Sequence, residues 1–282
     1  MISFQSYNDK YAKHDALNPM DLGHLQTVNQ THASSRVSEK YAFIPTTRAL
    51  AVMADYGWHP VQAAEARTRI VENVGYQKHM IRLANVRFNQ EMAVGSSIPQ
   101  IILINAHGGG AAFQLMTGIF EKICSNGLIV AKSKEESARV AHRGYADEYM
   151  EAAVKAVMES FDDALRLTDD FKALSLDPGE RRAFAEAAIE LRFDGEAYSV
   201  SPDQMLYTHR AAEKEPTLYN TLNIVQEKVI RGGVKMLSTS APEPGKPSRR
   251  RQANAVNSIN ENVRLNKALW VLAERMAELK RS

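Results

Sequence analysis

The sequence predicts an α+β fold, in which a mostly antiparallel sheet of three to five strands with a packed helix precedes a helical C-terminal part. Strand-length apolar runs lie between residues 60 and 144, and helical spacing dominates from Tyr145 onward. With 282 residues and 44% hydrophobic side chains, the chain can bury a sizeable core. We divide it into an N-terminal arm (1–40), an α+β core (41–144), a mainly helical region (145–240), and a basic linker with a C-terminal amphipathic helix (241–282).

The first elements are a short helix and three strands. Arg48–Tyr56 has helical character and is stopped by Gly57. Residues 61–70 and 79–88 alternate as two strands that would pair as a hairpin. Residues 100–106 form a continuous apolar run, which is typical of a strand buried on both faces.

A glycine turn at Gly108–Gly110 separates this strand from the next predicted helix. Apolar residues recur at helical spacing as far as Cys124, at positions Phe113, Met116, Ile119, Phe120 and Ile123. Residues 128–134 and 139–144 are shorter strand candidates. We expect the glycines to form a tight turn, with an unspecialised anion site as the alternative, because neither the GxxxxGK nor the GxGxxG pattern is complete.

The C-terminal part is predicted to be helical up to the basic linker. A long amphipathic helix runs from residue 145 to 174, is broken at Asp177–Gly179, and resumes over residues 180–192. Residues 241–251 contain three prolines and four basic residues, which is typical of an exposed linker. The last helix carries one apolar stripe, at Leu265, Leu269, Leu272, Met276 and Leu279.

Several classes of protein are disfavoured by simple features of the chain. No apolar stretch approaches the roughly 18 residues needed to cross a bilayer, and the polar N-terminus lacks a secretory pattern. The single cysteine, Cys124, cannot form an internal disulfide, and its apolar surroundings suggest an inert thiol. No HExxH or GxSxG motif occurs. We therefore expect a cytoplasmic protein with no metal and no cofactor.

Charge is divided unevenly along the chain, and its basic ends suggest a nucleic-acid partner. Residues 145–215 hold 8 basic against 17 acidic residues, whereas residues 245–282 hold 9 against 3. Tyr76 and Phe88 lie near basic strand residues, so bases could stack beside phosphate contacts. A solvated, charged sheet edge is the alternative interpretation. The candidate nucleic-acid-binding residues are Arg67, Arg69, Lys78, Arg82, Arg87, Lys246, Arg249, Arg250 and Arg251.

The order of several sequence pieces resembles the phage and plasmid family known as domain of unknown function 932. The pieces are YAFIPTTRAL, GYQKHMIRL, INAHGGGAAFQLMTGIFEKICSNGLIV, RVAHRG, LYNTLNIVQEKVIRGGV and NENVRLNKALWVLAE. The family more often has Ser-His-Asp-Gly where this chain has Ala106–Gly109, which weakens any catalytic His–Asp pair here. The resemblance implies a setting on mobile elements, and the host cytoplasm for a phage-encoded copy.

Two functional hypotheses follow. The predicted order of three strands and a helix also resembles the core of the single-strand annealing recombinases RecT, Red-beta and Erf. We therefore expect a homo-oligomer that binds single-stranded DNA in annealing, recombination or protection and makes no membrane contact. The alternative is a nuclease or nucleotide-modifying enzyme that uses Asn105, His107, Asn126 and His142. The lack of paired carboxylates disfavours the enzyme, and we expect His107 to serve the fold first.

Overall fold

The computed structural model describes residues 21–85, 97–121, 127–129, 138–140, 142, 147–193, 198–241, 245 and 247–282. Over these residues the predicted α+β class is confirmed. The chain divides into two compact units, an N-terminal unit that ends at Leu165 and a C-terminal unit at Arg166–Ser282. The sequence boundary after residue 144 therefore lies too early, because the following helix packs in the core of the first unit.

An antiparallel sheet is the centre of the N-terminal unit. In the described residues it has six strands in the order β1-β2-β3-β4-β5, with β6 also paired to β4. The strands are β1 Trp58–Glu65, β2 His79–Asn85, β3 Ser97–Asn105, β4 Phe113–Glu121, β5 Gly127–Ile129 and β6 Ala138–Val140. Strands β2 and β3 are buried at every position. The continuous apolar run at residues 100–106 predicts this for β3, whereas the alternation at residues 79–88 does not predict it for β2.

Two helices cover this sheet. Helix α1 spans Thr46–Asp55 and α2 spans Asp147–Glu159. The inner face of α2 buries Val154 and Val157 in the same core as the sheet residues. The ring of Trp58 stacks on Phe161 with centroids 5.1 Å apart. Each such fully buried apolar side chain stabilises the fold by about 1.5–3 kcal/mol.

Strand β4 replaces the helix that helical spacing predicts after the glycine turn. Residues Phe113, Met116 and Ile119 are all buried, but they are buried because β4 pairs with β3 and has both faces covered. Spacing cannot distinguish a helix from a strand when both faces are apolar. The order of three strands and a helix is therefore wrong, and the resemblance to annealing recombinases loses its basis in this topology.

The chain before α1 packs against the sheet wherever it is described. Leu22 and Val28 belong to the hydrophobic core, and the Thr27 hydroxyl donates a 2.5 Å hydrogen bond to the Glu65 carboxylate at the end of β1. A loosely ordered arm is therefore the wrong interpretation of residues 21–40, while residues 1–20 lie outside the described part.

The C-terminal unit is mainly helical. Its helices are α3 Phe161–Ala173, which begins in the N-terminal unit, then α4 Pro178–Arg192, α5 Pro202–Leu206, α6 Leu218–Arg231 and α7 Ile259–Arg281. The predicted long helix is interrupted at Ser160, and Asp177 starts α4 through a capping box with Glu180. The stripe of α7 is buried at Leu265 and Leu269 but not at Leu279, which is 72% exposed. No helix in the described ranges is long and apolar enough to span a membrane.

A small sheet completes this unit and occupies part of the predicted linker. Its strands are β7 Tyr198–Val200, β8 Lys235–Ser238 and β9 Arg250–Gln252, in the antiparallel order β7-β8-β9. Gly232 ends α6 at a φ of 73°, and a Cβ there would lie 2.5 Å from the Ala253 carbonyl oxygen. Only glycine permits this approach, which brings the chain after β9 against the start of β8.

Candidate functional site

The basic residues predicted on the first hairpin lie in different surroundings. Arg67 and Arg69 are exposed in the connection between β1 and β2, because β1 already ends at Glu65. They therefore do not share a strand face as predicted, and neither forms an ion pair within the described residues. Lys78 is half-buried, and burial lowers the pKa of its ammonium group. Arg87 lies outside the part of the chain that the structure describes.

Arg82 is inside the sheet and is removed from the candidate interface. It is only 8% exposed. Its Nε and Nη2 donate to Gln100 Oε1 at 2.8 and 2.5 Å, and its Nη1 donates to Gln62 Oε1 at 2.9 Å. A guanidinium that is covered in this way and held by the amides of two neighbouring strands cannot reach a phosphate. We assign Arg82 a role in joining three strands.

The second group of predicted cations forms a defined surface, which we call the basic hairpin. It consists of β8 and β9 with the exposed side chains of Lys235, Arg249, Arg250 and Arg251, whereas Lys246 lies outside the described residues. Because Arg250 and Arg251 are in a paired strand, a flexible arm is the wrong interpretation for them. Lys235 lies opposite Gln252, and Leu237 lies opposite Arg250. Lys235 and Arg250 therefore share a face, about 7–8 Å apart on a diagonal.

The cations of the basic hairpin differ from many others in this unit in having no carboxylate partner. Within the described residues, Lys235, Arg250 and Arg251 form no ion pair. Several cations on the helices, in contrast, are paired with carboxylates: Arg264 pairs with Glu261 at 2.6 Å. The other such pairs are Arg182–Glu186, Arg231–Glu227, Arg275–Glu278, Lys280–Glu180 and Arg281–Asp170. Unpaired, exposed cations on a sheet can neutralise an anionic polymer.

An exposed aromatic side chain follows the helix that contacts this hairpin. The backbone N–H of Lys235 donates to Gln204 Oε1 at 3.1 Å, which ties α5 to β8. Tyr207 comes directly after α5 and is 56% exposed. Its ring meets the ring of His209 edge-on, with centroids 4.7 Å apart. A half-exposed aromatic ring is suited to stacking against a nucleobase.

The polar residues around the glycine turn form a second, buried arrangement, which we call the histidine network. Its centre is the Thr46 hydroxyl at the start of α1, which lies 2.8 Å from His79 Nε2 and 3.2 Å from His107 Nε2. Asn105 Nδ2 donates to the same hydroxyl at 3.0 Å and to the Ile44 carbonyl at 3.0 Å. The network arises from sheet register, because His79 and Asn105 are directly opposite on β2 and β3.

A third histidine and a tyrosine extend the network. His142 Nδ1 contacts the Ala42 carbonyl at 2.9 Å, and its ring stacks on Tyr41 with centroids 4.5 Å apart. The Tyr41 hydroxyl donates to the Ala106 carbonyl at 2.7 Å. Burial raises the pKa of Tyr41 to about 12. These contacts join the segment before α1 to the glycine turn and to the chain after β6.

The histidines of the network are held neutral. Burial, aided by the neighbouring His107, lowers the pKa of His79 to about 3. Burial and the nearby His142 lower the pKa of His107 to about 4. Burial also lowers the pKa of His142. Imidazoles in this state can accept protons or act as metal ligands, yet no group of three or more His, Cys, Asp or Glu among the described residues is placed to hold an ion.

The histidine network brings together only some of the residues that the enzyme hypothesis uses. Asn105 and His107 lie together and are fully buried, His142 is 8% exposed, and Asn126 lies outside the described residues. Among the residues that the structure describes, His107 Nδ1 and His142 Nε2 have no hydrogen-bond partner. The geometry suits a structural role for His107, whose backbone also bonds to Tyr76 and Ser34.

Sequence reasoning missed Thr46, His79, Tyr41 and Lys235. Lys235 follows two glycines that end a helix, and its four-residue strand is too short for a periodicity signal. Thr46 and His79 lie far from His107 in sequence, so only strand register brings them together. His79 directly precedes an apolar run in the sequence, and this is a weak signal that it lies at the end of a strand.

Comparison with known proteins decides the family. Residues 33–270 match the family described as domain of unknown function (DUF932). The chain belongs to the DUF932 family. Two curated relatives of this DUF932 protein, both from Escherichia coli strain K12, share 239 aligned residues that cover 85% of the chain and 83% of each relative. The UPF0380 protein YafZ is 33% identical and the UPF0380 protein YfjQ is 32% identical. No solved structure matches the chain.

Proposed function

We propose that this DUF932 protein binds single-stranded DNA on the basic hairpin. The observation that carries the proposal is the cluster of exposed cations on β8 and β9, of which Lys235, Arg250 and Arg251 have no ion-pair partner in the described residues. Unpaired cations gain more free energy from binding phosphates than paired cations do, because they give up no existing contact with a carboxylate. The phage and plasmid setting that the family resemblance implies favours DNA as the polymer.

The surroundings of the hairpin favour a single strand over a duplex. Tyr207 presents a 56% exposed ring on the chain segment just after α5, which contacts β8. Each base that stacks on an aromatic ring contributes about 1–3 kcal/mol, and only unpaired bases expose their faces. Leu237 is 44% exposed on the face that carries Lys235 and Arg250, and it adds apolar contact for a base.

The affinity of the full chain for a labelled 30-nucleotide DNA tests the proposal. With about four phosphates contacted, the slope of log affinity against log salt should be about −3 on the single-strand coefficient. Duplex DNA should bind more weakly, and RNA of the same sequence measures the preference for DNA. The absence of binding at low salt, or a salt-independent affinity, would refute the proposal.

Matched variants locate the interface. Lys235→Ala/Arg250→Ala, which removes the two cations that share one face, should weaken binding at least tenfold, on the order of two lost phosphate contacts at low salt. Arg275→Ala/Arg281→Ala removes the same charge from ion-paired positions on α7 and should leave the affinity within about twofold. Equal losses in both variants would mean that net charge, and not the hairpin, binds the DNA.

A second candidate function is phosphodiester cleavage at the histidine network, and one observation favours it. His107 Nδ1 and His142 Nε2 are buried ring nitrogens to which no other described residue offers a hydrogen bond, and a neutral imidazole can act as a general base. Their burial keeps this candidate second. The same DNA incubated with protein and magnesium tests it: cleavage that His142→Gln abolishes would support it, and intact DNA would reject it.

A further inference from the structure

The connection between β1 and β2 carries a patch that the DNA proposal does not use. We call residues 67–74 the apolar loop. Ile70, Val71 and Val74 are 47%, 79% and 50% exposed. Arg67 and Arg69 precede them and are exposed without an ion pair in the described parts of the chain. Large aliphatic side chains exposed together, rather than singly, mark interaction surfaces.

The apolar loop is held in a fixed shape. Val71–Asn73 forms a turn of 3-10 helix, and the Asn73 carbonyl accepts from Tyr76 N at 3.0 Å. Arg36 Nη1 donates to Asn73 Oδ1 at 3.2 Å, and Gly75 N donates to Gln77 Oε1 at 2.7 Å. A pre-formed loop loses little conformational entropy when it binds.

The outer face of α2 has the complementary character. Tyr149, 57% exposed, lies on one flank of this face together with the exposed Ala152 and Ala156. Glu148, Glu151 and Glu159 are exposed around them and have no ion-pair partner within the described residues. The face also carries one exposed cation, Lys155. The opposite face of α2 is the part that packs in the core, so this outer face is left without a covering element of the described chain.

We propose that the apolar loop of one copy docks on the outer face of α2 in a second copy. The aliphatic side chains of the loop would cover the flank with Tyr149, Ala152 and Ala156, while Arg67 and Arg69 meet the glutamates. Opposite unpaired charges beside an apolar strip give both affinity and orientation. Because the two patches are different surfaces of one chain, the contact is head-to-tail and propagates into a ring or a filament.

The proposal is independent of DNA binding, since the basic hairpin lies in the other unit. The competing occupant of the apolar loop is nucleic acid bound to Arg67 and Arg69. The two occupants predict different behaviour of the free protein, because self-association requires no DNA.

Charge-reversal variants of the full chain test the docking by sedimentation velocity at protein concentrations from about 1 to 100 µM, the range of transient interfaces. The wild type should show a mass that rises with concentration. The loop variant Arg67→Glu/Arg69→Glu and the helix variant Glu148→Lys/Glu151→Lys should each associate at least tenfold more weakly, because like charges then face each other. An equimolar mixture should regain the wild-type mass, since each reversed patch meets its opposite in the other variant.

A control and a milder pair of variants keep the test decisive. Lys40→Glu/Lys214→Glu changes net charge equally at exposed positions outside both patches, and it should associate as the wild type does. If a reversal variant fails to fold, Arg67→Gln/Arg69→Gln replaces it and should still weaken association. A wild type that stays monomeric, a mixture that stays monomeric, or a loop variant that loses DNA binding with unchanged mass would each overturn the proposal.

Discussion

The two units of this DUF932 protein satisfy their polar groups in different ways. The N-terminal unit buries an uncharged network in which His79 and His107 share the Thr46 hydroxyl. The C-terminal unit relies on ion pairs, of which Arg210 with Glu213, a carboxylate only 4% exposed, is the most enclosed. Histidine side chains of the unfolded chain become protonated in mild acid, whereas carboxylates stay ionised down to a lower pH. The two units should therefore fail in different pH ranges.

The signs of the pKa shifts define these ranges. His79 and His107 have folded pKa values of about 3 and about 4 against an ordinary value of 6.5. Unfolded histidine therefore binds protons first, and stability falls as the pH drops below 6.5. Ion pairing and hydrogen bonding lower the pKa of Glu180 and Glu261 from 4.5, so their contribution persists until the pH falls below that value. Between pH 6.5 and pH 4.5, we expect the free energy of unfolding to fall only for the N-terminal unit.

The largest expected effect is this selective loss in acid. From pH 7.5 to 5, each of the two histidines should cost the N-terminal unit about 2 kcal/mol of unfolding free energy. The chain has two tryptophans, Trp58 in the N-terminal unit and Trp270 in the C-terminal unit. Urea unfolding followed by fluorescence in Trp270→Phe and in Trp58→Phe reports each unit separately. Equal destabilisation of both units at pH 5 would remove the contrast.

The next effect distinguishes Arg82 from its exposed neighbours. Arg82→Ala leaves Gln62 and Gln100 without their buried donor and should cost about 2–3 kcal/mol. Arg67→Ala/Arg69→Ala should change unfolding free energy by no more than about 0.5 kcal/mol, because both side chains are exposed. Chemical denaturation of the variants at pH 7.5 provides the comparison. A mild Arg82→Ala would return that residue to the list of candidate phosphate ligands.

A third change probes the histidine network directly. His107→Leu should cost about 1–3 kcal/mol at pH 7.5 because the Thr46 hydroxyl loses a partner. It should also flatten the acid response, since one of the titrating groups is gone. His107→Asn can keep one hydrogen bond and should cost less. Both variants should bind DNA as the wild type does; a stable His107→Asn protein without any activity would favour the enzyme hypothesis instead.

The smallest effect is expected in the C-terminal unit. Arg264→Ala breaks an exposed pair with Glu261 and should cost at most about 1 kcal/mol, since solvent screens such pairs. In 1 M salt the difference from the wild type should shrink further. Thermal melting at two salt concentrations measures it. A larger loss that does not depend on salt would point to the bond between Arg264 and the Leu191 carbonyl.

The sequence predicted the fold class and the buried strand β3, because the continuous apolar run at residues 100–106 has the length of a strand and is bounded by turn residues. It failed at β4, where Phe113, Met116 and Ile119 fit both a helix and a doubly covered strand. It also failed at β9, since Arg250 and Arg251 follow a proline-rich stretch that resembles a linker. In both places the structure depends on a partner strand, which local patterns do not contain.

The candidate sites show the same limit: local features of the sequence were recognised, and contacts between strands were not. The exposed cations near residue 250 were found because charge is visible in composition. The buried position of Arg82 was not predicted, because the amides of Gln62 and Gln100 lie on neighbouring strands. The histidine network was missed for the same physical reason: its members meet through strand pairing and not through spacing.

The shared Thr46 hydroxyl fixes the tautomers of the histidines around it. The Gln77 carbonyl only accepts, so the contact at 3.4 Å places the proton of His79 on Nδ1. His79 Nε2 then receives the single hydroxyl hydrogen of Thr46. Asn105 and His107 both donate to the hydroxyl oxygen, so the lone pair of His107 lies on Nδ1, near the Thr27 backbone.

The same reasoning applies to His142, whose Nδ1 donates to the Ala42 carbonyl and whose Nε2 is therefore bare. The two unpartnered nitrogens of the network are thus both proton acceptors and not stranded N–H donors. An arriving proton enters at His107 or His142 before it reaches His79, whose lone pair is already occupied by Thr46. Acid would therefore act first where the glycine turn meets the chain before α1.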